Sequence, residues 1–125
     1  MLKNSDIIAT VAVKDIDAAR RFYADVLGLE ALPEQMGEVT QFRSGSTKLI
    51  VYRSQFAGTN QATAANFAVD DVDAAVAALA AKGVRFERYD IPDVKHVGDV
   101  HVFGDFHTAW FKDPDGNILS IVPRR

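Results

Sequence analysis

The chain has 125 residues, 48% apolar and 25% charged, which fits a single globular domain with its own core. Its net charge of −3, with lysines and arginines scattered along the chain, argues against nucleic acid as a partner. Cysteine is absent, which excludes disulfides, thiolate nucleophiles and thiolate metal sites, and no membrane-length apolar run or signal-peptide pattern is visible, so the expected compartment is the cytoplasm.

In chain order, Ile7 to Val13 is a β-branched run that predicts a strand. Asp15 suits a helix N-cap, and Ile16, Ala19, Phe22, Tyr23, Val26 and Leu27 then recur at helical spacing up to Gly28. Leu29 to Leu32, Glu38 to Arg43 and Thr47 to Arg53 read as strands. Residues 54–63 are polar and without periodicity, the pattern of a linker. The order then repeats. Ala64 to Val69 is a strand, Asp71 a cap, and Val72, Ala75, Val76 and Leu79 the stripe of a helix ending at Gly83. Val84 to Tyr89, Phe106 to Lys112 and Asn117 to Val122 are further strands, the last two joined by the turn signature Asp113-Pro114-Asp115-Gly116. The longer segment Asp90 to Asp105 has room for an extra strand at Asp99 to Phe103.

This recurrence is written in the residues themselves. Val11-Ala12-Val13-Lys14-Asp15-Ile16-Asp17-Ala18-Ala19 returns as Phe67-Ala68-Val69-Asp70-Asp71-Val72-Asp73-Ala74-Ala75. A fainter echo relates Gly45 to Arg53 with Gly116 to Arg124. Two copies of one strand–helix–strands unit are expected: module one over 1–53, module two over 64–125, within one domain.

Val13-Lys14-Asp15-Ile16-Asp17-Ala18-Ala19-Arg20-Arg21-Phe22-Tyr23 with Val26-Leu27-Gly28-Leu29 resembles the first-helix signature of the vicinal oxygen chelate superfamily. Ala109 to Asn117 resembles its C-terminal hairpin. That resemblance implies an α+β fold of two βαβββ modules whose mixed sheet curls into a cup, a scaffold shared by glyoxalases, extradiol dioxygenases and bleomycin-binding proteins. It also implies where metal-using members carry their ligands, and both the motif alignment and the internal repeat place these at Ile8, Leu49, Ala64 and Ser120. Three hydrocarbons and one hydroxyl are not a divalent metal's ligand set, so neither metal nor other cofactor is expected.

The three histidines do not repair this. A two-residue turn at Gly104-Asp105 pairs Val102 with His107 and His101 with Thr108, which sends His101 and His107 to opposite faces. They are expected at a strand edge or in a loop, with a role for one of them as an acid or base held open.

Strand alternation turns Val11, Val13, Phe67 and Val69 toward the helices. The cup then receives Ile8, Thr10 and Ala12, with Ala64, Asn66 and Ala68, and from the closing strands Thr47, Leu49, Val51, Ile118, Ser120 and Val122. Trp110 and Phe111 alternate, so one of them faces the cup, and which one is left open. Glu34, Glu38 and Tyr52 are candidate rim groups. The candidate ligand-binding set is therefore Ile8, Thr10, Leu49, Val51, Ala64, Asn66, Trp110, Phe111 and Ser120, a mostly apolar lining with a few polar groups. It points to a metal-independent protein that sequesters or senses an apolar or aromatic small molecule, with a homodimer implied by the resemblance. The alternative is a glyoxalase- or dioxygenase-like enzyme with a non-standard or absent metal centre.

Overall fold

Both helices begin where the aspartates place them. The Asp15 carboxylate accepts from the amides of Asp17 and Ala18 (2.9 and 3.1 Å), and that of Asp71 from Ala74 (3.0 Å), which satisfies donors left open in each first turn. Helix α1 (Ile16–Arg20) runs on into a π-helical segment, Arg21–Val26, closed by a bond from the Leu27 amide to the Phe22 carbonyl. Helical spacing alone predicts a plain α-helix there, and a single widened turn is invisible to it. Helix α2 spans Val72–Ala81.

The computed structural model describes residues 1–33 and 37–124. Glu34, one of the candidate rim groups, lies outside the described residues. The chain forms two compact units, Met1–Ala57 and Gly58–Arg125.

The first unit holds strands β1 (Ala9–Val13), β2 (Glu30–Ala31), β3 (Val39–Ser44) and β4 (Thr47–Arg53) in the order β1-β4-β3-β2. β1 is parallel to β4, and the other pairs are antiparallel. β1 starts later than the β-branched run suggests, because its ladder opens at Ala9 against Leu49. α1 and its π extension cover one face, where Tyr23 and Phe42 are buried with ring centroids 5.7 Å apart, among Val11, Val13, Leu49 and Val51.

The second unit holds β5 (Thr63–Val69), β6 (Phe86–Glu87), β7 (Lys95–Val97), β8 (Val100–Phe103), β9 (Phe106–Lys112) and β10 (Ile118–Pro123). Their order is β5-β10-β9-β8-β7, with β6 alongside β9. The first strand again runs parallel to the last. Gly104 turns the β8–β9 hairpin at φ 61°, and Phe103↔Phe106, Val102↔His107 and His101↔Thr108 pair as the two-residue turn requires. β7 has no counterpart among the predicted elements, since Lys95-His96-Val97 is too short to show a period. Packing of α2 against β9 and β10 buries Val72 and Val76 over Ala109, Phe111, Leu119 and Ile121. Phe67 stacks on Phe111 at 6.5 Å, and Phe86 meets it edge-on at 5.8 Å.

The turn before β10 is locked from inside. The buried Asp113 carboxylate accepts from the amides of Asp115 and Asn117 (both 2.9 Å) and from Asn117 Nδ2 (2.7 Å). Gly58 lies directly on this turn: at φ 72°, a Cβ there would stand 1.9 Å from the Asp115 carbonyl oxygen. Neither the dihedral nor the space admits a side chain. Gly58→Ala is therefore expected to lower stability by about 2 kcal/mol or more. Urea unfolding followed through Trp110 emission would show it as an earlier midpoint, and an unchanged midpoint would refute the close backbone approach.

Candidate functional site

In each unit the helix takes one face of the sheet and leaves the other free, and the ladder register decides which side chains the free face receives. In the first sheet Thr10 pairs with Ile50, Ala12 with Tyr52 and Gln41 with Ile50. Cross-strand partners share a face. The helix-free face therefore carries Thr10, Ala12, Gln41, Ile50 and Tyr52, so the rim candidate Tyr52 belongs to it. Glu38, another rim candidate, is exposed and ion-paired with Arg53 at 3.5 Å.

Leu49 and Val51 do not lie there. They pair with Ala9 and Val11 and sit under the helix, 4% and 0% exposed. The expectation that they share a lining with Ile8 and Thr10 is corrected by one residue in β4, and such a slip turns every side chain of a strand over. The second sheet shows the proper phase, because Asn66, the repeat's match to Thr10, pairs with Ser120. The match to Ser120 is thus Ile50, not Leu49. Ile8 precedes β1 and is exposed.

The helix-free face of the second sheet is built around one row. Asn66 on β5 pairs with Ser120 on β10, Ser120 with Trp110 on β9, and Trp110 with Glu87 on β6. Trp110 therefore belongs to this face, and Phe111, fully buried against Phe67 and Phe86, to the helix side. That answers the choice the sequence leaves open. Ser120 is buried, and its hydroxyl donates to Asn66 Oδ1.

Between Ile118 and Leu119 the β5 partner jumps from Thr63 to Ala65, which leaves Ala64 at a bulge. Thr63 stands opposite Ile118, and the Trp110 indole N–H donates to its hydroxyl (3.1 Å). Ala64 is exposed on this edge strand. Thr63 has no signal in the sequence, since a bulge leaves no local pattern in an alanine-rich strand.

His101 is a second departure. It is completely buried, because β7 forms beside β8 and sets His96 opposite it, the rings 4.5 Å apart and edge-on. The expectation of an edge or loop position fails for this histidine. Its ring also packs edge-on to Trp110 at 4.8 Å, and Tyr89 joins both at 6.0 and 5.3 Å. The Tyr89 amide donates to His101 Nε2 (2.9 Å), and His96 Nε2 donates to the Tyr89 carbonyl (3.0 Å). Because Nε2 of His101 accepts, the proton of its neutral ring sits on Nδ1. Among the described residues that nitrogen and the Tyr89 hydroxyl, both buried, have no hydrogen-bond partner. Burial, then the Glu87 carboxylate, pushes the Tyr89 hydroxyl above its ordinary value. His107 points the other way, as the hairpin demands, and its Nδ1 meets Asp73 Oδ2 on α2 at 2.9 Å.

The positions that the resemblance assigns to metal ligands become Ile8, Ile50, Ala64 and Ser120. The first unit thus offers only the hydrocarbons Ile8 and Ile50, and the second an alanine methyl and a hydroxyl spent on Asn66, so neither unit's pair fits a divalent cation. Among the described residues no three His, Asp or Glu side chains gather to hold a metal ion.

Comparison with known proteins agrees with this architecture. The family model described as Glyoxalase/Bleomycin resistance protein/Dioxygenase superfamily matches residues 7–121. Among solved structures, a lactoylglutathione lyase from Agrobacterium tumefaciens is 20% identical at a TM-score of 0.72, covering 98% of this chain and 96% of that one. A glyoxalase/bleomycin resistance protein from Streptomyces sp. CB03234 is 26% identical at a TM-score of 0.63, covering 94% and 99%. TnmS3, an antibiotic binding protein from the same organism, is 24% identical at a TM-score of 0.64 over 100% of both chains. No curated protein matches the sequence.

The buried His101 makes the second unit sensitive to acid. Burial, then the neighbouring His96, holds its imidazolium below the ordinary 6.5. Above that value the ring is neutral in both folded and unfolded chains. As the pH falls below it, the unfolded chain takes up a proton that the folded chain resists, so stability is lost on acidification. The urea midpoint is expected to drop between about pH 7 and about pH 5.5, and less so in His101→Gln, which cannot titrate. Parallel pH profiles for the two proteins would show that His101 is not the responsible group.

Proposed function

Since this chain belongs to the Glyoxalase/Bleomycin resistance protein/Dioxygenase superfamily, we propose that it is a metal-independent small-molecule-binding protein that sequesters or senses an apolar or aromatic compound. The observation that carries this reading is the placement of Trp110 on the helix-free face of the second sheet, in one row with Ser120 and Asn66. An indole anchored through its N–H to Thr63 offers a flat ring surface for stacking, a contribution of about 1 kcal/mol beyond the area it buries. Thr10, Ile50 and Tyr52 give the first sheet a comparable mixed face, and Asn66 and Ser120 supply polar groups of the kind that orient a ligand. The fold shared with TnmS3, an antibiotic binding protein, is in keeping with such a role. An enzyme of glyoxalase or dioxygenase type is the rival, and the hydrocarbon side chains at Ile8, Ile50 and Ala64 speak against the usual metal centre.

Trp110 is the sole tryptophan and reports on its own site. Planar aromatic compounds are expected to quench its emission and raise the melting temperature, equally before and after chelator treatment. Trp110→Ala should weaken the same compounds roughly tenfold by calorimetry. Stoichiometric metal in the purified protein, with the thermal response lost on chelation, would replace the binding reading with the metalloenzyme.

The protein acts in this reading as a cytoplasmic homodimer, with neither nucleic acid nor membrane as partner. Ile7, Phe56 and Val97, which are 92%, 66% and 64% exposed, are apolar surface that a second copy would cover. No helix among the described residues is long and apolar enough to cross a membrane. Light scattering coupled to size exclusion is expected to give twice the 13.7 kDa chain mass. A monomer at every concentration would defeat the assignment.

A further inference from the structure

We propose that the helix-free face of the second sheet selects compounds that combine a flat aromatic ring with a neutral hydrogen-bond-accepting oxygen, and that Asn66 is the residue that reads the oxygen. This deepens the binding reading above and rests on it.

The argument is one of donors and acceptors. The buried Ser120 hydroxyl donates to Asn66 Oδ1, so the acceptor end of that amide is engaged inside the protein. Its Nδ2 carries two hydrogens and makes no hydrogen bond among the described residues, while Asn66 itself is exposed on edge strand β5. Ser120 thus acts as a positioning residue: it holds the amide with its donor end outward. Trp110, next in the row, has already spent its N–H on Thr63 and brings only ring surface. Glu87, at the end of the row, is paired with Lys112 at 3.5 Å. What remains open to a ligand is an indole and an amide donor.

Spacing sets the shape of the compound. Asn66 and Trp110 lie two strands apart, and neighbouring strands are about 4.8 Å apart, so their backbones are separated by roughly 10 Å. A bicyclic ring stacked on the indole, with a carbonyl one bond beyond the ring, reaches the amide across that distance. A neutral donor favours a ketone, amide or quinone oxygen over a carboxylate, whose desolvation a lone amide does not offset. A hydrocarbon of the same shape would strand the Asn66 donor when it covers the site, and an unmet donor is what makes such a site discriminate.

Calorimetric titration with 2-acetylnaphthalene and its hydrocarbon isostere 2-isopropenylnaphthalene tests this. The acetyl compound is expected to bind about tenfold more tightly. Asn66→Asp, which replaces an exposed donor by an acceptor, should abolish that preference and raise affinity for 1-(2-naphthyl)ethylamine about tenfold. Ser120→Ala frees the amide to turn, so it should shrink the acetyl preference. Circular dichroism checks that both variants are folded, and should the buried Ser120→Ala fail to fold, the exposed Asn66→Asp still decides. Equal binding of the two naphthalenes to the native protein, or an acetyl preference that survives in Asn66→Asp, would overturn this inference and leave the binding reading standing. If neither naphthalene binds, both fall.

Discussion

A parallel ladder joins the first strand of each unit to its last, and the rest of each unit follows from that pairing. Two strands can be parallel neighbours only if the chain travels back across the sheet between them. Here the return path includes a helix started by an aspartate cap, and the helix covers a single face. One face of each sheet therefore becomes core and the other is left without a helix. β1–β4 and β5–β10 obey the same rule with different side chains, which is why two sequences with few identities build the same unit.

On the helix-free face of the second sheet several polar groups are paired with one another. Ser120 serves Asn66, Thr63 serves the indole of Trp110, and the Tyr89 backbone serves both His96 and His101. Such a network fixes side-chain orientation. Among the described residues the buried Nδ1 of His101 and hydroxyl of Tyr89 have no partner, which is uncommon for buried polar atoms. Both rings lean on Trp110, so the electrostatics of the indole's surroundings are set by groups distant in sequence.

Much of this was legible in the chain, and the misses have a common cause. The caps at Asp15 and Asp71, the locked turn at Asp113 and the Gly104 hairpin with its opposed histidines could be read directly, because each is a bargain among residues a few positions apart. The hydrocarbon character of Ile8, Leu49 and Ala64 was equally plain. The phase of β4 was not. A run such as Lys48-Leu49-Ile50-Val51-Tyr52 is apolar through its middle, so alternation cannot say which member faces the helix, and the faint echo between the two closing segments is one residue out.

The amino-acid order by itself determined the repeated unit, its helix starts, its tight turns and the scarcity of metal donors, all of which depend on local geometry and side-chain chemistry. Only the tertiary structure decided that Ile50 and not Leu49 lies on the open face, that a bulge at Ala64 delivers Thr63 to Trp110, that Phe111 goes to the core, and that β7 closes over His101. Each of those outcomes hangs on which residue stands opposite which across a ladder. The partners are tens of positions apart, and a strand shifted by one keeps the same local preferences while exchanging its two faces.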